Sequence, residues 1–284
     1  MNILIIDADS IVYAAAFASQ NYAVTDEEGN IYGVYSTKRE ANEAANETGD
    51  LVTVLPEPDF VAEQNADGMI ENILEQFSVD EFKVFLTTPD VKKNFRYTVD
   101  EEYKANRKDF EKPHHYQTVR DRLTNKWDAV ISREGWEADD EVSALGWEYW
   151  EHGDWSQPLI ICSIDKDLDT VPGHHYRWQT YNKEADNYFV SDAEAMENYW
   201  ISALTGDKAD NIPGLYRIGP KRAGSILRSC ETELEYYRTA RTQYIVNMEK
   251  EGYTEEKAVE RMHKNCKMLY LMRSQGDTGW EPPE

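Results

Sequence analysis

The chain has 284 residues and a mass of 32.9 kDa, with 54 Asp and Glu against 30 Lys and Arg, a formal charge of −24. At 40% hydrophobic and 12% aromatic it is too apolar for a disordered acidic tail, so a packed core is expected. No apolar run approaches the ~20 residues of a membrane span, and nothing at the start resembles a signal peptide. Cys162, Cys230 and Cys266 lack the spacing of a thiolate zinc site or a disulfide framework. The expectation is a soluble, cytoplasmic protein without membrane contact, and bulk charge alone disfavours nucleic acid.

In chain order, residues 2–6 read as a strand and 10–18 as a helix. Residues 22–60 read as an insertion: two strand-like runs, 22–25 and 31–35, flank Asp26-Glu27-Glu28-Gly29-Asn30, a hairpin turn. An Ala/Glu/Asn-rich helix and a strand at 51–55 complete it. Helices at 67–77, 116–126, 139–150 and 192–204 then alternate with apolar runs at 82–86, 129–132, 159–163 and 176–180. This alternation predicts an α/β fold with a mostly parallel central sheet flanked by helices. Beyond about residue 200 the chain reads as helices separated by Gly/Pro turns, and residues 277–284 read as a frayed end.

The charge is unevenly spread. Residues 1–80 hold 16 acids and only Lys38 and Arg39, whereas 92–126 hold ten basic residues against six acids. Residues 217–230 hold Arg217, Lys221, Arg222 and Arg228 with no acid. Because salt confines fields to about 10 Å, two such islands suffice for a phosphate footprint in an acidic protein. Ordinary solvated helix faces are the plainer alternative.

Carboxylates gather at the strand ends. Asp7 follows 2–6, Asp90 lies beyond 82–86, Glu137-Ala138-Asp139-Asp140 follows 129–132, and Asp165 and Asp167 follow 159–163. Parallel sheets place their sites beyond the carboxyl ends of their strands, so all four aim at one crevice. Gly206-Asp207-Lys208-Ala209-Asp210 adds two more. Taken singly, each reads as a cap, turn or strand-end residue. Together they would raise each other's pKa unless cations neutralise them. Hard oxygen donors without an accompanying His or Cys set point to Mg²⁺, with Mn²⁺ as a substitute. Nine carboxylates suffice for two ions roughly 3.5–4 Å apart, the arrangement that clamps attacking and leaving oxygens in phosphodiester hydrolysis.

The motifs, in order, are Ile5-Ile6-Asp7, Asp90 with Phe95-Arg96, Tyr103-Lys104-Ala105-Asn106-Arg107, Glu137-Ala138-Asp139-Asp140, Ser163-Ile164-Asp165-Lys166-Asp167, Gly206 to Gly214, and Ile218-Gly219-Pro220-Lys221-Arg222-Ala223. In this order they resemble the 5′-nucleases: flap endonucleases, the 5′-nuclease domain of bacterial DNA polymerase I, and especially stand-alone phage 5′→3′ exonucleases. The resemblance implies a 5′-nuclease core with a PIN-like sheet over 1–200, an arch or gateway at 92–126, and a helical DNA-binding region at 201–284. The last would carry a helix–three-turn–helix at about 205–228. It implies two metal regions, one with Asp7, Asp90, Glu137, Asp139 and Asp140, the other with Asp165, Asp167, Asp207 and Asp210.

On that reading, Lys104 and Arg96 contact the scissile phosphate and, with Asp139, carry the catalysis; without the motif, Arg96 reads as a structural salt bridge and Tyr103 as a packed surface aromatic. Tyr103 stacks on a base of the threaded strand and Arg107 lines the gateway. Gly214, Gly219, Lys221 and Arg222 present backbone and charge to duplex phosphate, with K⁺ a candidate at the turn. Arg217 stands where the family commonly has Gly, a departure that weakens the K⁺ expectation.

The expected activity is a divalent-metal-dependent, structure-specific 5′-nuclease acting on DNA with 5′ ends, flaps or nicks. RNA primers and RNA–DNA hybrids extend the substrate range, and the working form is a monomer in the (host) cytoplasm serving replication. Two alternatives differ in kind: an RNA-cutting PIN-like ribonuclease, and a non-catalytic DNA-binding module on the same scaffold. The duplex-phosphate element disfavours the first. The full set of nine acids disfavours the second.

Overall fold

The computed structural model describes residues 2–48 and 50–284. Met1, at the head of the 1–200 range, and Gly49, inside 22–60, lie outside the described residues. The chain runs β1 (Asn2–Asp7), α1 (Asp9–Phe17), β2 (Gln20–Thr25), β3 (Ile31–Tyr35), α2 (Lys38–Thr48), β4 (Leu51–Pro56), α3 (Asp59–Glu75) and β5 (Val79–Leu86). It continues through α4 (Phe95–Val99), α5 (Tyr116–Trp127), β6 (Val130–Ile131), α6 (Ala138–His152), β7 (Leu159–Cys162), β8 (Gly173–Arg177), β9 (Asp186–Val190) and α7 (Asp192–Thr205). Last come β10 (Gly206–Asp207), β11 (Ile212–Pro213), α8 (Pro220–Leu227), α9 (Glu233–Glu249) and α10 (Glu255–Leu269).

Two compact units form. One comprises residues 1–7, 79–110 and 131–284; the other comprises 8–78 and 111–130. Compactness thus divides the chain along seams other than 200/201, and the 92–126 segment contributes to both units. The reason is packing in the first unit, where the C-terminal helices share one core with Tyr103 and Trp136.

In the first unit, a six-stranded sheet has the order β6-β5-β1-β7-β8-β9. β1 pairs parallel with β5 and with β7, β7 pairs parallel with β8, and β9 closes the edge antiparallel. Leu4, Ile5 and Ile6 are buried because both faces of a parallel strand are covered. α6 packs Ala138 and Val142 against Ile5, Phe85 and Ile161. At Gly146 a Cβ would stand 2.7 Å from Val171 and 3.0 Å from Ile161 of β7, so glycine permits this close approach of α6 to the sheet and the turn beside it. The chain leaves β1 toward β5 on one side and β7 on the other, making its carboxyl end a topological switch point.

The strand expected at 176–180 forms earlier, at Gly173–Arg177, and β9 was not foreseen. Asp186-Asn187-Tyr188-Phe189-Val190 is a mostly exposed edge and lacks the apolar run that marked the central strands. The C-terminal helices gather Trp200, Tyr244, Met262 and Cys266 into the second core of this unit. Residues 277–284 have no regular structure, but they are not a frayed end: Trp280 is 3% exposed within that core.

The other unit holds the sheet β3-β2-β4, with Tyr22, Val24 and Val52 covered by Ala41 and Ala45 of α2. Its hairpin turn is set by Asp26, whose Oδ1 accepts from the backbone N–H of Glu28 (3.0 Å) and Asn30 (2.8 Å). α1, α3 and α5 pack beside one another in the same unit. Among the described residues, no helix is long and apolar enough to cross a membrane.

Candidate functional site

The four strand ends bearing carboxylates belong to adjacent strands: β6, β5, β1 and β7 stand in that order. From them a chain of polar contacts can be followed. Ser163, just past β7, donates to Asp7 Oδ2 (3.1 Å) at the end of β1 and accepts from the Asp165 backbone N–H (3.0 Å). Asp165 in turn accepts from the Asp167 N–H (2.9 Å), capping a short 3₁₀ turn. Lys166 Nζ lies 2.6 Å from both Asp167 and Asp207. Asp207 accepts from the Ala209 and Asp210 N–H groups at 2.6 and 3.3 Å. Finally the Tyr103 hydroxyl stands 2.9 Å from both Asp210 and Glu137. One path therefore connects Asp7, Asp165, Asp167, Asp207, Asp210 and Glu137.

The loop carrying Asp207 and Asp210 depends on two glycines. Gly206 has φ +65°, and a Cβ on Gly214 would fall 1.9 Å from the Thr205 carbonyl oxygen. Residues 102–107 are stitched to this loop through backbone groups. The Lys104 N–H donates to the Asp210 carbonyl (2.9 Å), Asn106 to that of Lys208 (2.7 Å), and Arg107 Nε to that of Ala209 (3.1 Å). Tyr103-Lys104-Ala105-Asn106-Arg107 and Gly206 to Gly214, far apart in sequence, thus form one piece.

Cations sit among the acids. Lys104 Nζ is 2.5 Å from Glu137 and 3.8 Å from Asp210, and Arg107 is 2.6 Å from Asp210. Burial alone would raise the Glu137 pKa, but Lys104 and Arg96 outweigh it and hold the carboxyl at about 2. Burial, then the proximity of Asp140, pushes Asp139 well above the usual carboxylate range. Burial and the Asp165 charge lift Asp167 to about 6, against the pull of Lys166.

Three expectations are corrected. Arg96 is 2% exposed and cannot reach a bound phosphate; it grips Asp140 with two bonds of 2.8 and 2.9 Å and donates to the carbonyls of Met268 and Tyr270. Asp140 is accordingly no metal ligand, because its carboxylate is consumed by Arg96 and by the Glu137 N–H it caps (3.0 Å). Tyr103 is 1% exposed, with its ring edge-on to Tyr97, so neither face is open to a base.

Asp90 is exposed, faces Lys93 at 3.5 Å, and stays outside the contact path among the described residues. Gly219 caps α8, whose Lys221 and Arg222 are exposed. Arg217 adopts φ +58°, so the non-glycine residue takes the left-handed turn conformation after all. Ser163 and Lys166 belong to the Ser163–Asp167 motif, and sequence alone points to no role for either. Their signal was position alone, one on each side of Asp165.

Among the described residues, no three His, Cys, Asp or Glu side chains stand gathered as a finished metal cage. The donor set nevertheless fits a hard divalent cation. It is all oxygen, and Asp139 Oδ1 is a buried acceptor without a partner among the described residues. Lys104, Arg107 and Lys166 supply the counter-charge instead.

No family model matches the chain. It is 26% identical over 241 residues to the 5′-3′ exonuclease of Buchnera aphidicola subsp. Schizaphis graminum, covering 80% of this chain and 69% of that protein. It is 33% identical over 148 residues to flap endonuclease Xni of Vibrio cholerae, covering 48% of this chain and 54% of that one. In fold it is similar to bacteriophage T5 D15 flap endonuclease, crystallised in a pseudo-enzyme-product complex with DNA and metal ions. That likeness has a TM-score of 0.58 at 16% identity, over 95% of this chain and 89% of the other. The relatives in sequence agree with the order of motifs and the fold is shared with the T5 enzyme: the chain is similar to the 5′→3′ exonucleases and flap endonucleases.

Proposed function

We propose that this chain hydrolyses DNA phosphodiester bonds at 5′ ends, flaps or nicks, dependent on divalent metal. The carrying observation is the continuous polar path from Asp7 to Glu137, which gathers acids from two strand ends, a helix N-terminus and the 207–210 loop. Asp7, Glu137, Asp139, Asp165, Asp167, Asp207 and Asp210 would hold the ions, Mg²⁺ by preference and Mn²⁺ in its place. When bound, such ions neutralise charge on the attacking and leaving oxygens.

The protein's own groups divide the remaining work. Lys104, whose side chain is 18% exposed, is placed to offset charge developing on a phosphoryl group beside Glu137. Tyr103 and Arg96 are positioning residues: the first ties Glu137 to Asp210, the second fixes the start of α6 through Asp140. Gly219, Lys221 and Arg222 offer a basic turn to duplex phosphate. The relative crystallised with DNA and metal ions supports that reading of substrate class. Removal of RNA primers during replication follows from the same chemistry applied to a hybrid, and a single copy of the chain holds every residue invoked.

The test uses full-length protein with flap, nicked and blunt duplexes labelled at either end, in Mg²⁺ and in Mn²⁺. Wild type should release 5′-directed products, and Asp139→Ala should lose them by at least ~10³-fold. Undiminished cleavage by the variant, or none by wild type with either ion, overturns the proposal.

A further inference from the structure

The nuclease reading gives Lys166 no part in holding metal or substrate, and its position gives it further work. Its ammonium lies 2.6 Å from an oxygen of Asp167 and 2.6 Å from an oxygen of Asp207. A divalent ion shared by those carboxylates would sit ~2.0–2.4 Å from each oxygen, in essentially the same place. An ammonium and a divalent ion cannot occupy that place together, on steric grounds and by mutual repulsion.

We propose that Lys166 is a built-in, displaceable counter-ion that occupies the seat between Asp167 and Asp207 and is exchanged for the divalent cation. This rests on the metal-site reading of these aspartates given above. Three observations carry it. The two acids come from different elements, the 3₁₀ turn after β7 and the strand β10, and a cation between them offsets the repulsion of their charges. The side chain of Lys166 is 65% exposed while those of Asp167 and Asp207 are 25% and 8% exposed. The lysine can therefore leave by rotating its stem, without opening the core, whereas the acids cannot. Lastly, Lys166 lines a cleft of about 1100 Å³ that also includes Asp207, Gly214, Arg217 and Gly219.

Two consequences follow. Without metal, Lys166 suppresses repulsion in the cluster and so holds the 207–210 loop in its working position. With metal, the released ammonium stays on the wall of the cleft, adding one positive charge beside the turn assigned to DNA phosphate. Loading of the site and affinity for DNA are thereby coupled through one side chain.

The test is calorimetric titration of metal-free, full-length protein with Mn²⁺, for wild type, Lys166→Met, Lys166→Gln and Lys208→Met. Lys208 is an exposed lysine on the same cleft and reports the general effect of losing a charge. Both Lys166 variants should bind Mn²⁺ roughly five- to tenfold more tightly, as expected for removing a unit charge a few ångströms away in a partly solvated site. Lys208→Met should change the affinity less than twofold. In EDTA the Lys166 variants should melt earlier than wild type, and saturating Mn²⁺ should reverse that order. Equal or weaker Mn²⁺ binding by both Lys166 variants, or an equal gain in Lys208→Met, overturns the inference while leaving the metal site standing. Absence of Mn²⁺ binding by wild type overturns the metal-site reading itself.

Discussion

Asp139 and Asp140 are neighbours in the first turn of α6 and have opposite surroundings. Asp140 is fully buried yet satisfied by Arg96 and a backbone N–H. Asp139 is half-buried, and its buried Oδ1 has no hydrogen-bond partner among the described residues. Breaking a buried ion pair by removing one partner costs about 3–5 kcal/mol, because the other charge stays behind uncompensated. Asp140→Leu should therefore lower the melting temperature by roughly 10 °C, and Arg96→Met should do the same. The double variant should lose less than the two single losses added, as coupled partners do. Asp139→Asn should act the other way in EDTA. Its carboxyl is held well above the usual range, so ionisation at neutral pH costs folding energy that the amide avoids. Thermal melts of the four variants with and without metal check these signs; a destabilised metal-free Asp139→Asn would contradict the ligand assignment. Sequence could list these residues without sorting them. An arginine beside an aspartate reads the same whether it faces a phosphate or a neighbouring helix, and only burial separates the cases. Tyr103 shows the same limit: an aromatic in a basic segment suggests stacking on a base, while its hydroxyl in fact serves two carboxylates.

At the level of elements the sequence was more informative. The helices centred on 116–126, 139–150 and 192–204 form as Tyr116–Trp127, Ala138–His152 and Asp192–Thr205, because apolar spacing and end residues agree. Where pattern was weak, structure exceeded it: α3 begins at Asp59, eight residues before the start read from the sequence, since the buried positions of its first turns are the small Ala62 and Ala66, which give little apolar pattern. The path from Asp7 to Glu137 was legible in part, as carboxylates at strand ends. The stitching of residues 102–107 onto 208–210 was not, because it runs through backbone carbonyls that no side-chain pattern encodes. One inter-element joint has a pH signature. Asp67 on α3 accepts from Arg122 (2.7 Å) and Trp127 (2.8 Å) of α5 and faces Lys126 at 3.0 Å. Burial opposes its charge, but these partners prevail and depress its pKa from 3.8 to about 2. A depressed carboxylate stabilises the fold above its unfolded pKa and loses that contribution as pH falls through the folded value. Denaturant unfolding should thus show the Asp67 contribution, ~2 kcal/mol against Asp67→Asn, at pH 7, shrinking between about pH 4 and pH 2. A wild type–variant difference that persists unchanged at pH 2 would exclude this linkage.

Over the whole molecule, charge is allocated by function and its sum misleads. Of the 54 acids, seven are those proposed to hold metal, where bound cations would cancel much of their charge. The basic residues of 217–230 are proposed to act locally: Lys221 and Arg222 are exposed on α8, and Arg217 in the turn before them adopts φ +58°. A protein at −24 repels DNA at long range, so affinity has to come from a few close phosphate contacts. Each such contact releases counter-ions and steepens the dependence of log K on log salt by about 0.9 for duplex DNA. Replacing both Lys221 and Arg222 by alanine should therefore flatten that slope by roughly 1.8 and weaken nicked-duplex binding most at low salt. Measured in Ca²⁺, which permits binding without turnover in many Mg²⁺ enzymes, the titration isolates affinity from cleavage. The rate of cleavage at saturating DNA should stay close to wild type, because neither residue belongs to the path joining Asp7 to Glu137. An unchanged slope would mean that these side chains do not touch phosphate, and that binding is carried by the other basic island, residues 92–126, alone.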